Sequence, residues 1–181
     1  MRTKRYMMKR LSWLALPMLL LLAGCPSGGG GGGSGEGSAA VIIYRADQTT
    51  DTVPELFDIT SGTKLNPALA LGKAVQAFAI TPDKTAVVYI ADQDLAGTRE
   101  AYRVLFSAPG TAVKLNPTFA PARQAQEILV TPDSRSVVYR ANQTAATAVE
   151  LFRVFFTLPG SSTTLNGPLV SGGNVEAFAI R

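Results

Sequence analysis

The stretch A-F-A-I-T-P-D-K-T-A-V-V-Y-I-A-D-Q, Ala77 to Gln93, decides the fold because it occurs more than once. Fifty residues later it returns as E-I-L-V-T-P-D-S-R-S-V-V-Y-R-A-N-Q, Glu127 to Gln143. Its opening returns again as A-F-A-I-R, Ala177 to Arg181. Its second half stands earlier as I-I-Y-R-A-D-Q, Ile42 to Gln48. A fixed period of this length points to a solenoid, a propeller or an array.

Inside the repeat the pattern is β. Val87-Val88-Tyr89-Ile90 and Val137-Val138-Tyr139 are short, β-branched and aromatic, with turn residues on both sides. They are apolar at consecutive positions, so both faces of these strands are expected to be buried, as in stacked sheets. A Thr-Pro-Asp turn precedes each. Pro82 and Pro132 preset φ, and Asp83 and Asp133 can accept from turn amides, so each turn closes a hairpin. A third strand follows: Glu55 to Ile59, Glu100 to Leu105 and Glu150 to Phe155. Its alternation puts Tyr102, Val104 and Phe106 on one face and Arg103 on the other. A short fourth strand is expected at Lys64 to Pro67, Lys114 to Pro117 and Thr164 to Gly167, closed by Asn-Pro or Asn-Gly. The first unit lacks the first strand, and Asn174 to Arg181 is a first strand with nothing after it. Ile43, Tyr44, Phe78, Val88, Tyr89, Leu105, Val138, Tyr139 and Val154 are the expected core.

The N-terminal part is of another kind. Arg2, Lys4, Arg5, Lys9 and Arg10 precede an apolar run from Leu11 to Ala23. At 13 residues the run is shorter than the roughly 20 an ordinary membrane helix needs. It reads as a secretory signal. The run ends in Leu22-Ala23-Gly24-Cys25, which resembles the lipobox of bacterial lipoproteins. The resemblance implies lipidation of Cys25, cleavage before it and acylation of the new amino terminus. Several acyl chains together give stable anchoring. Pro26, where the family's sorting rule reads Asp as an inner-membrane address, implies an outer-membrane address if the cell is Gram-negative. Pro26 to Ala40, with unbroken glycine from Gly28 to Gly33, has no apolar pattern and is expected to be a flexible tether. Such a tether reaches roughly 20 Å. The domains are therefore 1–24 (signal), 25–40 (lipidated Cys and linker) and 41–181 (repeats).

Composition narrows the chemistry. The formal charge is +4, but removing the five N-terminal cations leaves 12 Lys and Arg against 13 Asp and Glu. The basic balance thus belongs to the targeting segment and gives no support for nucleic-acid binding. There is no His, and Cys25 is the single Cys. That removes His-based acid–base chemistry, most metal sites and an intrachain disulfide. Asp92-Gln93-Asp94 could offer oxygens to Ca²⁺, but no distal Glu completes such a loop. No catalytic residues, cofactor or metal are expected.

The pattern F-x-x-T-P-D-x-x-x-V-V-Y-x-A-(D/N), then E-L-(F/Y)-x-V, then K-L-N, resembles the TolB-type, WD-like β-propeller repeat of bacteria. It covers nearly all of residues 41–181. Lys84 and Ser134 stand where that repeat has Gly. The resemblance implies an all-β partial propeller of three four-stranded antiparallel blades, below the usual 4–8. In such a fold the loops Asp92 to Arg99 and Asn142 to Val149, with the segments starting at Asn66, Asn116 and Asn166, share one face. Loops on a rigid scaffold usually carry recognition, so Asp92, Asp94, Arg99 and Asn142 are the candidate partner-binding residues. The expected function is a membrane-anchored envelope scaffold that is not an enzyme and binds another envelope protein. The alternatives are a truncated propeller fragment, or a propeller that binds a small molecule or glycan or hydrolyses a substrate. A homodimer closing a six-bladed ring is the expected assembly, with a three-blade monomer as the competing one.

Cys25→Ser is predicted to shift the protein from the membrane fraction to the soluble fraction, or to leave uncleaved precursor. Normal processing and unchanged sedimentation of the variant would remove the lipoprotein reading.

Overall fold

The computed structural model describes residues 40–181. The signal segment, Cys25 and most of the Gly-rich tether lie outside the described residues. The described chain is all-β, with strands β1 (Ile43–Ala46), β2 (Glu55–Asp58), β3 (Val75–Ile80), β4 (Ala86–Ala91), β5 (Glu100–Leu105), β6 (Ala112–Lys114), β7 (Ala125–Val130), β8 (Ser136–Ala145), β9 (Ala148–Phe155) and β10 (Thr163–Thr164). They form three antiparallel sheets: β1-β2, β3-β4-β5-β6 and β7-β8-β9-β10. Each strand pairs with its sequence neighbour. Short turns suffice for that, and no crossover is needed.

The middle sheet is covered on both faces. Val87, Tyr89 and Ala91 of β4 cluster with Ile43, Leu56, Leu65 and Leu69 of the first repeat. Val88 and Ile90 of the same strand cluster with Ile128, Val137, Tyr139 and Phe152 of the third. Strand alternation sends successive side chains to opposite neighbours, and all six residues of β4 are buried. At about 1.5–3 kcal/mol for each large apolar side chain, these two interfaces dominate the stability.

Each sheet carries the same aromatic pair across its central strands. Tyr44 stacks on Phe57, Tyr89 on Tyr102 and Tyr139 on Phe152, with centroids 5.5, 5.4 and 5.5 Å apart. The members are directly opposite in register. Each Tyr hydroxyl also donates to a Gln four residues on: Gln48, Gln93 and Gln143. The repeat thus keeps both the apolar body and the polar tip of the tyrosine satisfied.

The Thr-Pro-Asp turns behave as expected. The Lys84 amide donates to the Thr81 carbonyl (2.8 Å), and that of Ser134 to Thr131 (2.9 Å). Asp83 accepts from the Thr85 amide and Asp133 from that of Arg135. Lys84 and Ser134 sit at φ 57° and 56°. This left-handed geometry is the physical reason a glycine suits the position.

Three expectations are corrected. The sheets are not three four-stranded units: the first has two strands, extended only by a bridge from Phe57 to Lys64. Lys64 follows Phe57 by seven residues, whereas Lys114 follows Tyr102 by twelve, so a full fourth strand has no length to form. The fourth strands lie earlier than read, at Ala112–Lys114 and Thr163–Thr164. The Leu-Asn that follows leaves the ladder because the Asn side chain, not its backbone, takes the next amide. Leu105 is exposed, since it shares the Arg103 face near the end of β5. Tyr44 and Phe78 are half-buried rather than buried; the other expected core residues are buried.

The segment that follows each sheet repeats a left-handed residue, at Gly72, Ala122 and Gly172, with φ 81°, 64° and 76°. Only the middle one carries a Cβ. That conformation costs an L-residue about 1–2 kcal/mol, while the added freedom of glycine in the unfolded chain costs about 0.4–1. Ala122→Gly is therefore predicted to stabilise the domain by up to ~1 kcal/mol in denaturant unfolding. A destabilisation would contradict the strain argument.

Candidate functional site

The loops at one end of the strands are tied to the linkers and form a single rim. Asp92, at the end of β4, accepts from the Ala74 amide (2.7 Å) and the Gly97 amide (3.2 Å). Asn142, its repeat equivalent in β8, accepts from the Gln124 amide (2.5 Å). Each therefore caps the start of the inner strand in its own sheet. The Lys73 ammonium donates to the Gln93 and Asp94 carbonyls (2.8 and 3.0 Å). The Arg99 backbone brackets the next linker, donating to Arg123 and accepting from Ala125.

Beneath the rim lies a polar cluster that the sequence reading treated only as the start of a strand. Glu55 and Glu100 are almost fully buried. Glu100 accepts from the Phe119 amide (2.9 Å), the Asn116 amide group and the Tyr102 hydroxyl, and pairs with Lys114 (2.7 Å). Lys114 also reaches Asp94 (2.6 Å). Glu55 repeats this with the Leu69 amide, Asn66, Lys64 and the hydroxyl of Thr49. Asn66, Asn116 and Asn166 each accept the first free amide of the third strand, from Leu56, Ala101 and Leu151 at 2.7, 2.6 and 2.7 Å. Buried carboxylates need such donors, because desolvation without partners costs several kcal/mol. The signal for this cluster was present: a Glu and an Asn recur at fixed places in each repeat.

The electrostatics follow. Burial pushes the Glu55 carboxyl up, but hydrogen bonds from Thr49, the Leu69 amide and Lys64, together with the Lys64 charge, outweigh it and hold it below its usual value. Burial lowers Lys114, and the hydrogen bonds and charges of Asp94 and Glu100 carry it above the ordinary lysine value. Burial and then the Glu100 charge raise the Tyr102 phenol far beyond the physiological range. These groups hold fixed charge states at neutral pH.

Of the four candidate residues, Asp92 and Asn142 are built into the backbone frame and Asp94 is bound to Lys114. The Asp94 side chain keeps half its surface open, with Leu95 exposed beside it. Arg99 is half-buried. All four belong to the rim, but they do not converge on one point. At the opposite ends of the strands, a groove of about 500 Å³ is lined by Arg103, Ser134, Arg135, Phe155, Phe156 and Thr157. Arg103 lies 4.5 Å over the Phe156 ring and links the second and third sheets there. Comparison with protein-family models and with curated proteins finds no match for the chain.

A carboxylate whose folded pKa is depressed stabilises above its unfolded pKa and loses that contribution as pH falls through the folded value. Glu55 is such a group, with an ordinary value of 4.5. The stability gap between wild type and Glu55→Gln is thus predicted to be present near about pH 6 and to shrink below pH 4.5. A gap independent of pH down to acid unfolding would contradict it.

Proposed function

We propose that this protein is a lipid-anchored lipoprotein of the cell envelope whose sheets are propeller blades and whose loop rim holds a protein partner. The sequential four-stranded meanders, stacked face to face, support the blade reading. The observation that carries the binding role is the pre-ordered rim. Its loops are pinned by Asp92, Asn142 and the buried Glu–Asn clusters, while Asp94 and Leu95 remain open. A surface ordered before binding loses less entropy when a partner docks. The lipobox and flexible tether would let the domain float near the membrane surface without having to touch it.

The test is affinity capture from envelope extracts with the full chain in mild detergent. Asp94→Ala/Arg99→Ala is predicted to lose at least one specific partner that Arg135→Ala, at the other end of the strands, retains. Identical capture by wild type and both variants would overturn the rim as the binding face.

A further inference from the structure

Residues 174–180 leave the third sheet along the track by which β3 and β7 leave the sheets before them. The Val75 amide donates to the Pro54 carbonyl (2.9 Å), that of Ala125 to Arg99 (2.8 Å) and that of Val175 to Val149 (2.8 Å). Arg45 in β1 donates to the Val75 and Gln76 carbonyls, and Arg140, its equivalent in β8, donates to Val175. Val75 and Ala125 then begin inner strands. The segment after Val175 carries the same sequence but pairs with no strand among the described residues.

The first sheet is missing that strand. β1 pairs only with β2, on one side. Asp47 is the equivalent of Asp92 and Asn142, which cap the amides of Ala74 and Gln124. It is exposed, and its carboxylate makes no hydrogen bond among the described residues. The amide that the repeat assigns to it is that of Asn174.

The apolar surfaces of the two ends are complementary in the same sense. On the outer face of the first sheet, Ile42 and Ile59 are 49% and 57% exposed, whereas their equivalents Val87 and Val104 are fully buried against a preceding sheet. On the outer face of the third, Leu165 and Leu169 are 42% and 36% exposed, whereas Leu115 and Phe119 are buried under a following sheet. The carbonyls of Leu65 and Leu115 each accept from a glycine of the next sheet, Gly110 and Gly160. The Leu165 carbonyl receives no such bond among the described residues. Arg103 spans to Phe156 of the next sheet, while its equivalent Arg153 folds onto Phe155 of its own strand. The two ends are thus the separated halves of an interface that the chain builds twice internally.

We infer that the occupant of each end is a second copy of this chain. The middle sheet stands between the first and third, so the two ends of one copy face away from each other. Residues 177–180 of one copy pair antiparallel with β1 of the other. The registers of β3 with β4 and β7 with β8 set the pairing: Ala177 opposite Arg45, Phe178 opposite Tyr44, Ala179 opposite Ile43 and Ile180 opposite Ile42. Exchanged both ways, the contact satisfies two-fold symmetry and pairs the free edge of β1 in each copy. Two copies bring six sheets, within the 4–8 that close a ring. This inference stands on the repeat geometry and is independent of the anchor and of the rim's partner.

The test is disulfide cross-linking of the full chain, solubilised in mild detergent. With Cys25 replaced by Ser so that no other thiol is present, Ile42→Cys/Ile180→Cys, in register, is expected to give a covalent dimer on oxidation, while either single variant and the out-of-register Ile42→Cys/Ala177→Cys give none. Light scattering is expected to report two chains for wild type and one for Phe178→Asp, with circular dichroism showing that the variant is folded. A wild-type mass of one chain, a ladder of masses beyond two, or cross-linking indifferent to register would overturn the proposal.

Discussion

Both faces of β4 are apolar, so the middle sheet requires a neighbour on each side. That constraint organises everything else. Val87, Tyr89 and Ala91 meet one neighbour and Val88 and Ile90 the other. A lone four-stranded sheet of this sequence would leave one or both faces in water. The free energy of folding therefore resides mainly between sheets, and each repeat depends on the next. The aromatic pair opposite in register in every sheet adds a rigid, bulky centre to each layer.

The polar frame answers a second constraint. Stacking the sheets buries the point where the chain leaves the short outer strand and crosses to the next inner one. Backbone amides there lose water and need acceptors. The Asn after each outer strand supplies one, and the buried Glu supplies the next, to Leu69 and Phe119. Lys64 and Lys114 then balance the charge. The third repeat has Thr164 in place of the lysine, and Leu165 and Leu169 remain exposed. The cluster is fully assembled where a following sheet covers it and is thinner where none does. The rim's order is thus a by-product of how successive sheets are joined.

Much of this was legible from residues alone. The period, the Thr-Pro-Asp hairpins and the two-faced burial of Val87 to Ile90 and of Val137 to Tyr139 follow from pattern. The parity of Tyr102, Arg103 and Val104 was also readable. The position of the outer strand was not, because Lys-Leu-Asn looks like a strand until the Asn side chain is seen taking a backbone's place. Leu105 was misplaced because hydrophobicity outweighed its parity. The buried glutamates were missed because a charged residue at a strand start reads as a solvated edge. Asp92 and Asn142 read as loop residues, where recognition is the usual role, but Asn142 lies within β8, most of 142–149 is strand, and the structure uses both residues to cap inner strands.

Amide hydrogen exchange on the full chain measures the dependence between sheets most directly. The account predicts that the amides of β4 and the central part of β8 exchange only through global unfolding. The Leu56 and Ala101 amides, whose acceptor is an Asn side chain, should share that protection. The amides of β10, a two-residue strand at the outer edge of the third sheet, should exchange much faster. If β4 exchanged as fast as β10, or if the three sheets opened independently, stacking would not be what holds the fold together.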